Sequence, residues 1–266
     1  MSTLPPPSAG SLPPEQLPFV APCRMVEARA PLRWLKAGWH DFRHALRLSL
    51  TYGAVLTALS VLILLASWRF GMLAFYLGLA TGFVFVGPVL AVGLYSISRQ
   101  LGRGQTLELG YCLREGREHI RELLVLGMVL LVVLLLWARA AAMVHVFFPT
   151  EGEVDLKALA TFLGVGSLVG ALFAIVVFSA TAFSLPMILD RRVDAITAVI
   201  TSMHAVLCNK LPMLLWGLII VACVIVGFAT LTLGFLVLLP VIGHATWHAY
   251  LDTIDASAWP ENRPET

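Results

Sequence analysis

Three side chains near the end of the chain have the types and the spacing of a metal site. In the stretch GHATWHAYLD (243–252), His244, His248 and Asp252 follow one another at intervals of four residues. A helix would place them on one stripe. Two imidazoles at that spacing can hold one metal ion, and a carboxylate can join them or fix a histidine tautomer. The other candidates for the same cluster are His204, His40 and His44.

Three interpretations of these histidines stay open. They serve as hydrogen-bonding groups at a helix end in the membrane interface, a role that also suits the neighbouring Trp247 and Tyr250. They bind a metal ion or haem, or they form a pH-sensitive element. The pattern lacks the glutamate of HExxH, so it does not predict a metalloprotease.

Other chemistry-bearing residues give weaker signals. Arg139 is the charge that lies well inside a hydrophobic segment, where a charge costs about 2.5–3.5 kcal/mol at the helix centre. Its place near the outer end of that segment favours a side chain that snorkels outward, with an anion path or a quinone contact as alternatives. The four cysteines form no CxxC pair, so they are interpreted as packing residues rather than as disulfide or zinc ligands: Cys23, Cys112, Cys208 and Cys223.

No catalytic motif accompanies these residues. The sequence has no GxxxxGK[ST] phosphate loop, no GxSxG nucleophile elbow and no zinc-finger spacing. We therefore predict no catalytic residue, no enzyme activity and no cofactor, with metal or haem at His244 and His248 kept as the alternative.

The composition is that of a membrane protein. Hydrophobic residues make up 59% of the chain and charged residues 13%, whereas soluble domains are about half apolar and a quarter charged. The net charge of only +2 favours no nucleic-acid partner. A membrane crossing needs about 20 apolar residues, and six segments qualify, at about 48–69, 72–97, 122–147, 159–189, 211–227 and 234–248 with the few residues before it.

The positive charges predict the orientation. Most Lys and Arg residues precede the first segment or lie in the links after the second and fourth segments. Because positive links stay inside, both termini are expected in the cytoplasm. The expected domains are a disordered proline-rich leader (1–30), a six-helix membrane domain (31–255) and a short cytoplasmic tail (256–266).

The six segments are expected to form an all-α bundle of three hairpins. A short amphipathic helix precedes each hairpin, at 32–46, 106–121 and 193–208. These helices lie either on anionic lipid headgroups or as a cytoplasmic cap on the bundle. Prolines are expected to bend each returning helix near its cytoplasmic end: Pro88, Pro186 and Pro240.

Two GxxxG patterns predict close helix packing. They are formed by Gly78 with Gly82 and by Gly166 with Gly170. Such pairs let two backbones approach closely. The contacts are expected inside one bundle or between the protomers of a homo-oligomer.

Three stretches, 88–105, 183–217 and 239–252, resemble a family of predicted bacterial integral membrane proteins known as domain of unknown function 2189. The resemblance covers about residues 30–255 and is most distinctive at GHATWH. It implies a multi-pass inner-membrane protein. Some relatives are labelled as possible cytochrome c oxidase components, and no catalytic residue can be carried over.

The function expected first is that of a non-enzymatic accessory, assembly or envelope-organising factor. Its partners would be the bilayer, anionic headgroups and other membrane proteins. A small-solute channel or carrier is the first alternative. A metal- or haem-associated accessory of a respiratory oxidase is the second.

Overall fold

The fold is helical throughout the part of the chain that the computed structural model describes, residues 17–70, 91–107, 110, 114, 117–147 and 156–262. The helices are α1 (Ala30–His44), α2 (Leu46–Phe70), α3 (helical residues 91–102), α4 (Ile120–Phe147), α5 (Leu156–Thr181), α6 (Ser184–Asp190), α7 (Ala195–Cys208), α8 (Lys210–Ala229) and α9 (Phe235–Thr253). Among the described residues, β structure is limited to two isolated bridges, Cys23 with Ile254 and Arg191 with Glu261.

Four helical stretches are long and apolar enough to cross a membrane. They are Leu46–Ile63, Ile120–Val144, Leu159–Asp190 and Lys210–Ala229. These correspond to the first, third, fourth and fifth predicted segments, so the prediction of an all-helical membrane protein is confirmed. Most of the second predicted segment lies outside the described residues.

The sixth predicted segment is α9, which is not among the four stretches. The helix lies inside the bundle rather than at its surface: residues from Val241 to Tyr250 are mostly buried. It packs against α1, α2 and α8. A helix enclosed by protein does not need the uniformly apolar surface of a lipid-facing helix, which explains its lower hydrophobicity.

The long helices alternate in direction. Ser49 at the start of α2 and Ser98 near the end of α3 both contact His244 in the middle of α9. His119, just before α4, contacts Asn262 beyond the end of α9. Asn209, just before α8, and Thr253, the last residue of α9, both bond the backbone of Arg24. The starts of α2, α4 and α8 therefore lie toward the same end of the bundle as the ends of α3 and α9.

We call the structure at this end the cap, formed by residues 17–29, α1, α6, α7 and residues 254–262. Residues 17–29, assigned to the leader by the sequence, pack here: Arg24 N donates to Thr253 O at 2.7 Å and Asp255 N to Pro22 O at 2.9 Å. Residues 1–16 lie outside the described residues. In the tail, Trp259 is 3% exposed. Backbone pairing of this kind leaves no periodicity in the sequence.

The prolines and glycines singled out by the sequence have different surroundings. Pro186 lies in α6, a separate short helix after the turn at residues 182–183, and Pro240 lies inside α9. A side-chain carbon added at Gly166 or Gly170 meets nothing within 4 Å among the described residues. Pro88, Gly78 and Gly82 lie outside the described residues.

Candidate functional site

His244 is a buried link between three helices. The residue has no solvent-exposed surface. Nε2 lies 2.9 Å from Ser49 Oγ of α2, and Nδ1 lies 2.8 Å from Ser98 Oγ of α3. In a neutral imidazole one ring nitrogen donates and the other accepts, so both nitrogens are satisfied by hydroxyl groups that can do either.

His248, one turn further along α9, is bound to α1. Its Nε2 lies 2.8 Å from the Asp41 carboxylate, and the Ser98 hydroxyl also bonds that carboxylate. Burial raises the pKa of Asp41, but the hydrogen bond and the charge of His248 outweigh it and leave that pKa below its usual value. We call the connected side chains Ser49, His244, Ser98, Asp41 and His248 the polar chain; they tie α1, α2, α3 and α9 together.

Asp252, the third member of the sequence stripe, has other partners. Its Oδ2 accepts from Trp34 Nε1 at 2.9 Å and from Arg33 at 3.2 Å. Successive turns of α9 therefore meet different side chains. The stripe of His244, His248 and Asp252 does not converge on one point where an ion would sit.

The remaining candidate histidines lie in two other places. His40 and His44 stack with their ring centroids 4.0 Å apart on the exposed face of α1. His204 lies on α7 beside Cys23 and Cys208. The ligand atoms of these three residues all lie within 4.8 Å of one another. Burial, followed by the neighbouring Cys208 thiol, raises the pKa of Cys23 to about 11.

A second buried polar network lies where α3 meets the cap. Arg99 of α3 is 3% exposed. Its guanidinium donates to Leu189 O at 2.9 Å and to Asn262 O, and it lies 4.0 Å from the Asp190 carboxylate. Asp190 also accepts from Arg191 at 2.9 Å and from the Tyr250 hydroxyl at 3.0 Å. This network joins α3, α6, α9 and the tail.

Arg139 is exposed on α4, within the stretch that is long enough to cross a membrane. It lies nineteen residues after Ile120, toward the end of α4 that is remote from the cap. Neither the polar chain nor the Arg99 network includes it. Its surroundings are those of a residue on the outer surface of the described bundle.

Sequence reasoning missed the partners of its own candidates. Ser49, Ser98 and Asp41 come from three separate helices, and single serines carry no motif. Cys23 is remote in sequence from His204 and Cys208. The one local signal was the HxxxC spacing within MHAVLC (203–208), which places two metal-ligand types one helical turn apart.

Comparisons with known proteins support the membrane assignment. No curated protein and no solved structure matches the chain. Residues 75–190 match the model of a family described as predicted integral membrane protein. The match includes the whole of 88–105 and the first residues of 183–217. It confirms, over residues 75–190, the resemblance to the domain of unknown function 2189 family that was drawn from the sequence.

Proposed function

We propose that this protein is a non-enzymatic accessory or assembly factor of the bacterial inner membrane. The observation that carries the proposal is the polar chain. The side chains best suited to chemistry, His244 and His248, have their partners on α1, α2 and α3. Histidines held in this way act as ties between helices, and a protein built around such ties works by presenting a fixed surface.

Six crossings in three hairpins, with α1 before the first hairpin and α7 before the third, fit the helix directions. The long helices alternate in direction along the chain, as crossings joined by short links must. Helix α9 has 19 residues, which span about 28 Å at 1.5 Å per residue. That length matches a hydrocarbon layer of about 30 Å. The polar residues of α9 are mostly buried among other helices, so lipid does not meet them.

The charges of the cap support its placement in the cytoplasm. Exposed cations lie on α1, at the residue before it and at the start of α2: Arg29, Arg33, Lys36, Arg43 and Arg47. Basic segments next to membrane crossings stay on the inner side. Each such residue gains about 1 kcal/mol near an anionic leaflet. The apolar face of α1 packs on α9, which favours the cap over a helix that lies freely on lipid.

A partner helix is expected on α5. Its outward residues include Leu168, Leu172 and Ile175, all more than half exposed. Gly166 and Gly170 lie one turn apart on the other side of α5, where an added side-chain carbon meets nothing within 4 Å among the described residues. A surface of this kind lets a second membrane helix approach the backbone closely. Helix packing through this face, either to another protein or to a second copy of the chain, is the contact through which the accessory role would act.

The test is purification of the tagged full-length protein from native membranes, followed by mass analysis. We expect a membrane-protein partner, or a second copy, in fixed stoichiometry. In a variant that combines Gly166→Leu with Gly170→Leu, the amount of co-purified partner should fall at least about tenfold, because two bulky side chains block close approach. Gly164→Leu, open on another face of α5, is the matched control. A chain that purifies alone, or an Arg139-dependent solute flux in liposomes, would contradict the proposal.

A further inference from the structure

Three side chains of the cap form a set of metal-ligand types that the sequence analysis did not predict. Cys23 comes from the extended segment 17–29, and His204 and Cys208 come from α7. Their ligand atoms all lie within 4.8 Å of one another. Two thiols and one imidazole are the ligands that d10 cations prefer, since Zn²⁺ and Cu⁺ both bind sulfur and imidazole nitrogen strongly.

The spacing of the ligand atoms fits a single ion. Metal–sulfur bonds of about 2.3 Å and metal–nitrogen bonds of about 2.0 Å, at tetrahedral angles, hold sulfur and nitrogen about 3.5 Å apart. Cys208 Sγ and His204 Nε2 are 3.5 Å apart. The third ligand atom lies within the same 4.8 Å limit. An ion could therefore bind with little movement of the backbone.

The segment that carries Cys23 is held in place by bonds independent of an ion. Val26 N donates to Asn209 Oδ1 at 2.9 Å, and Asn209 Nδ2 donates to Arg24 O at 3.0 Å. Ala21 N donates to Thr201 Oγ1 at 3.2 Å. These bonds flank Cys23 on both sides and connect it to the same helix that carries the other two ligands. The ligand set is thus preorganised.

The surroundings also suit a cation. Cys208 is the last residue of α7, where the helix dipole presents its negative end. His204 is exposed, so an ion has a direct path from solvent. With three protein ligands, a tetrahedral ion keeps one open position for water or for a ligand supplied by a partner. A cytoplasmic cap, as the proposed function places it, would keep both thiols reduced.

We propose that Cys23, His204 and Cys208 bind one thiophilic d10 cation, Zn²⁺ or Cu⁺, and that the ion fastens segment 17–29 to α7. Three ligands with an open fourth position and an exposed imidazole are arranged for a site that can exchange its ion.

The test is metal titration of the full-length protein in detergent, reduced and stripped of metal, in a background with Cys112→Ser and Cys223→Ser. Zn²⁺ and Cu⁺ are each titrated against a colorimetric chelator. We expect one ion to bind per chain, and the preferred cation is the one that binds with the lower dissociation constant. Cys23→Ser, Cys208→Ser and His204→Ala should each weaken binding at least about 100-fold, since even supporting residues of metal sites cost 10–100-fold.

His40→Ala with His44→Ala is the matched control. This pair has the same four-residue spacing and is exposed on the same cap, and binding should change less than about twofold. The bound ion should raise the midpoint of thermal unfolding in the parent and not in Cys208→Ser, whose metal-free midpoint should equal that of the parent. The proposal would be overturned by any of three results: the Cys208→Ser variant binds the ion as tightly as the parent, binding is lost only when His40 and His44 are replaced, or the parent binds no ion.

Discussion

His244→Ala is expected to destabilise the protein by about 2–4 kcal/mol, seen as a lower midpoint of thermal unfolding in detergent. The imidazole is fully buried and bonds Ser49 and Ser98. Its removal leaves two buried hydroxyl groups without their partner, at about 1–3 kcal/mol each, and adds a cavity. Because interhelical hydrogen bonds in membranes are weaker than this sum suggests, the lower part of the combined range applies.

Two further variants separate a structural tie from a chemical role. His40→Ala removes an exposed imidazole and should leave the midpoint unchanged. His244→Leu combined with Ser49→Ala and Ser98→Ala replaces the whole buried group by apolar side chains of similar volume. It should recover most of the stability lost in His244→Ala, because neither hydroxyl group is then stranded and the Asp41 carboxylate keeps His248 as its partner. An unchanged midpoint in His244→Ala would show that the polar chain does not hold the helices together.

Gly53→Ala is expected to destabilise the protein by a comparable amount, about 1–3 kcal/mol, because it disturbs the packing of α2 against α9. Pro240 has no N–H, so it cannot bond the carbonyl of Leu236 one turn earlier. The backbone of Gly53 lies against that freed carbonyl: an added Cβ would overlap Leu236 O and lie 2.9 Å from its carbonyl carbon. Backbone cannot rotate away as a side chain can, so α2 and α9 must move apart.

The matched control is Gly166→Ala, which is also in a helix. An added Cβ there meets nothing within 4 Å among the described residues, and alanine favours helix over glycine by roughly 0.5–1 kcal/mol. The two substitutions are therefore expected to shift the midpoint of thermal unfolding in opposite directions. A Gly53→Ala protein as stable as the Gly166→Ala protein would contradict the close approach of α2 to α9.

The membrane character could be predicted from the sequence because every apolar residue in a long run adds to the same hydrophobic signal. Runs such as LLVLGMVLLVVLLLW are identified by length and hydrophobicity alone. Helix α1 shows the limit of that reasoning. The amphipathic helix predicted at 32–46 includes the apolar residues Trp39 and Leu46, which are 47% and 46% exposed, whereas Asp41 is buried. Periodicity marks an apolar stripe, but the polar partner His248 on α9 decides which way the helix is turned.

The histidines and cysteines were found as residues and not as sites. His204 was grouped with the α9 histidines because the predicted topology put them on one side of the membrane. The structure separates them, and brings His204 to Cys23 across 181 positions of sequence. The contact between His204 and Cys23 depends on the hydrogen bonds that the backbone of segment 17–29 makes with the Asn209 side chain. These bonds join remote parts of the chain, and neither periodicity nor a local motif records them.

The central claim is that α9 is a membrane crossing buried within the bundle, with the cap on the cytoplasmic side. The most direct test is cysteine labelling in a chain whose native cysteines are serine. Ser257→Cys lies in the cap and Leu233→Cys in the link between α8 and α9, both exposed. A membrane-impermeant maleimide should label Leu233→Cys in intact spheroplasts and Ser257→Cys only after lysis. Labelling of both positions from the same side would contradict the claim.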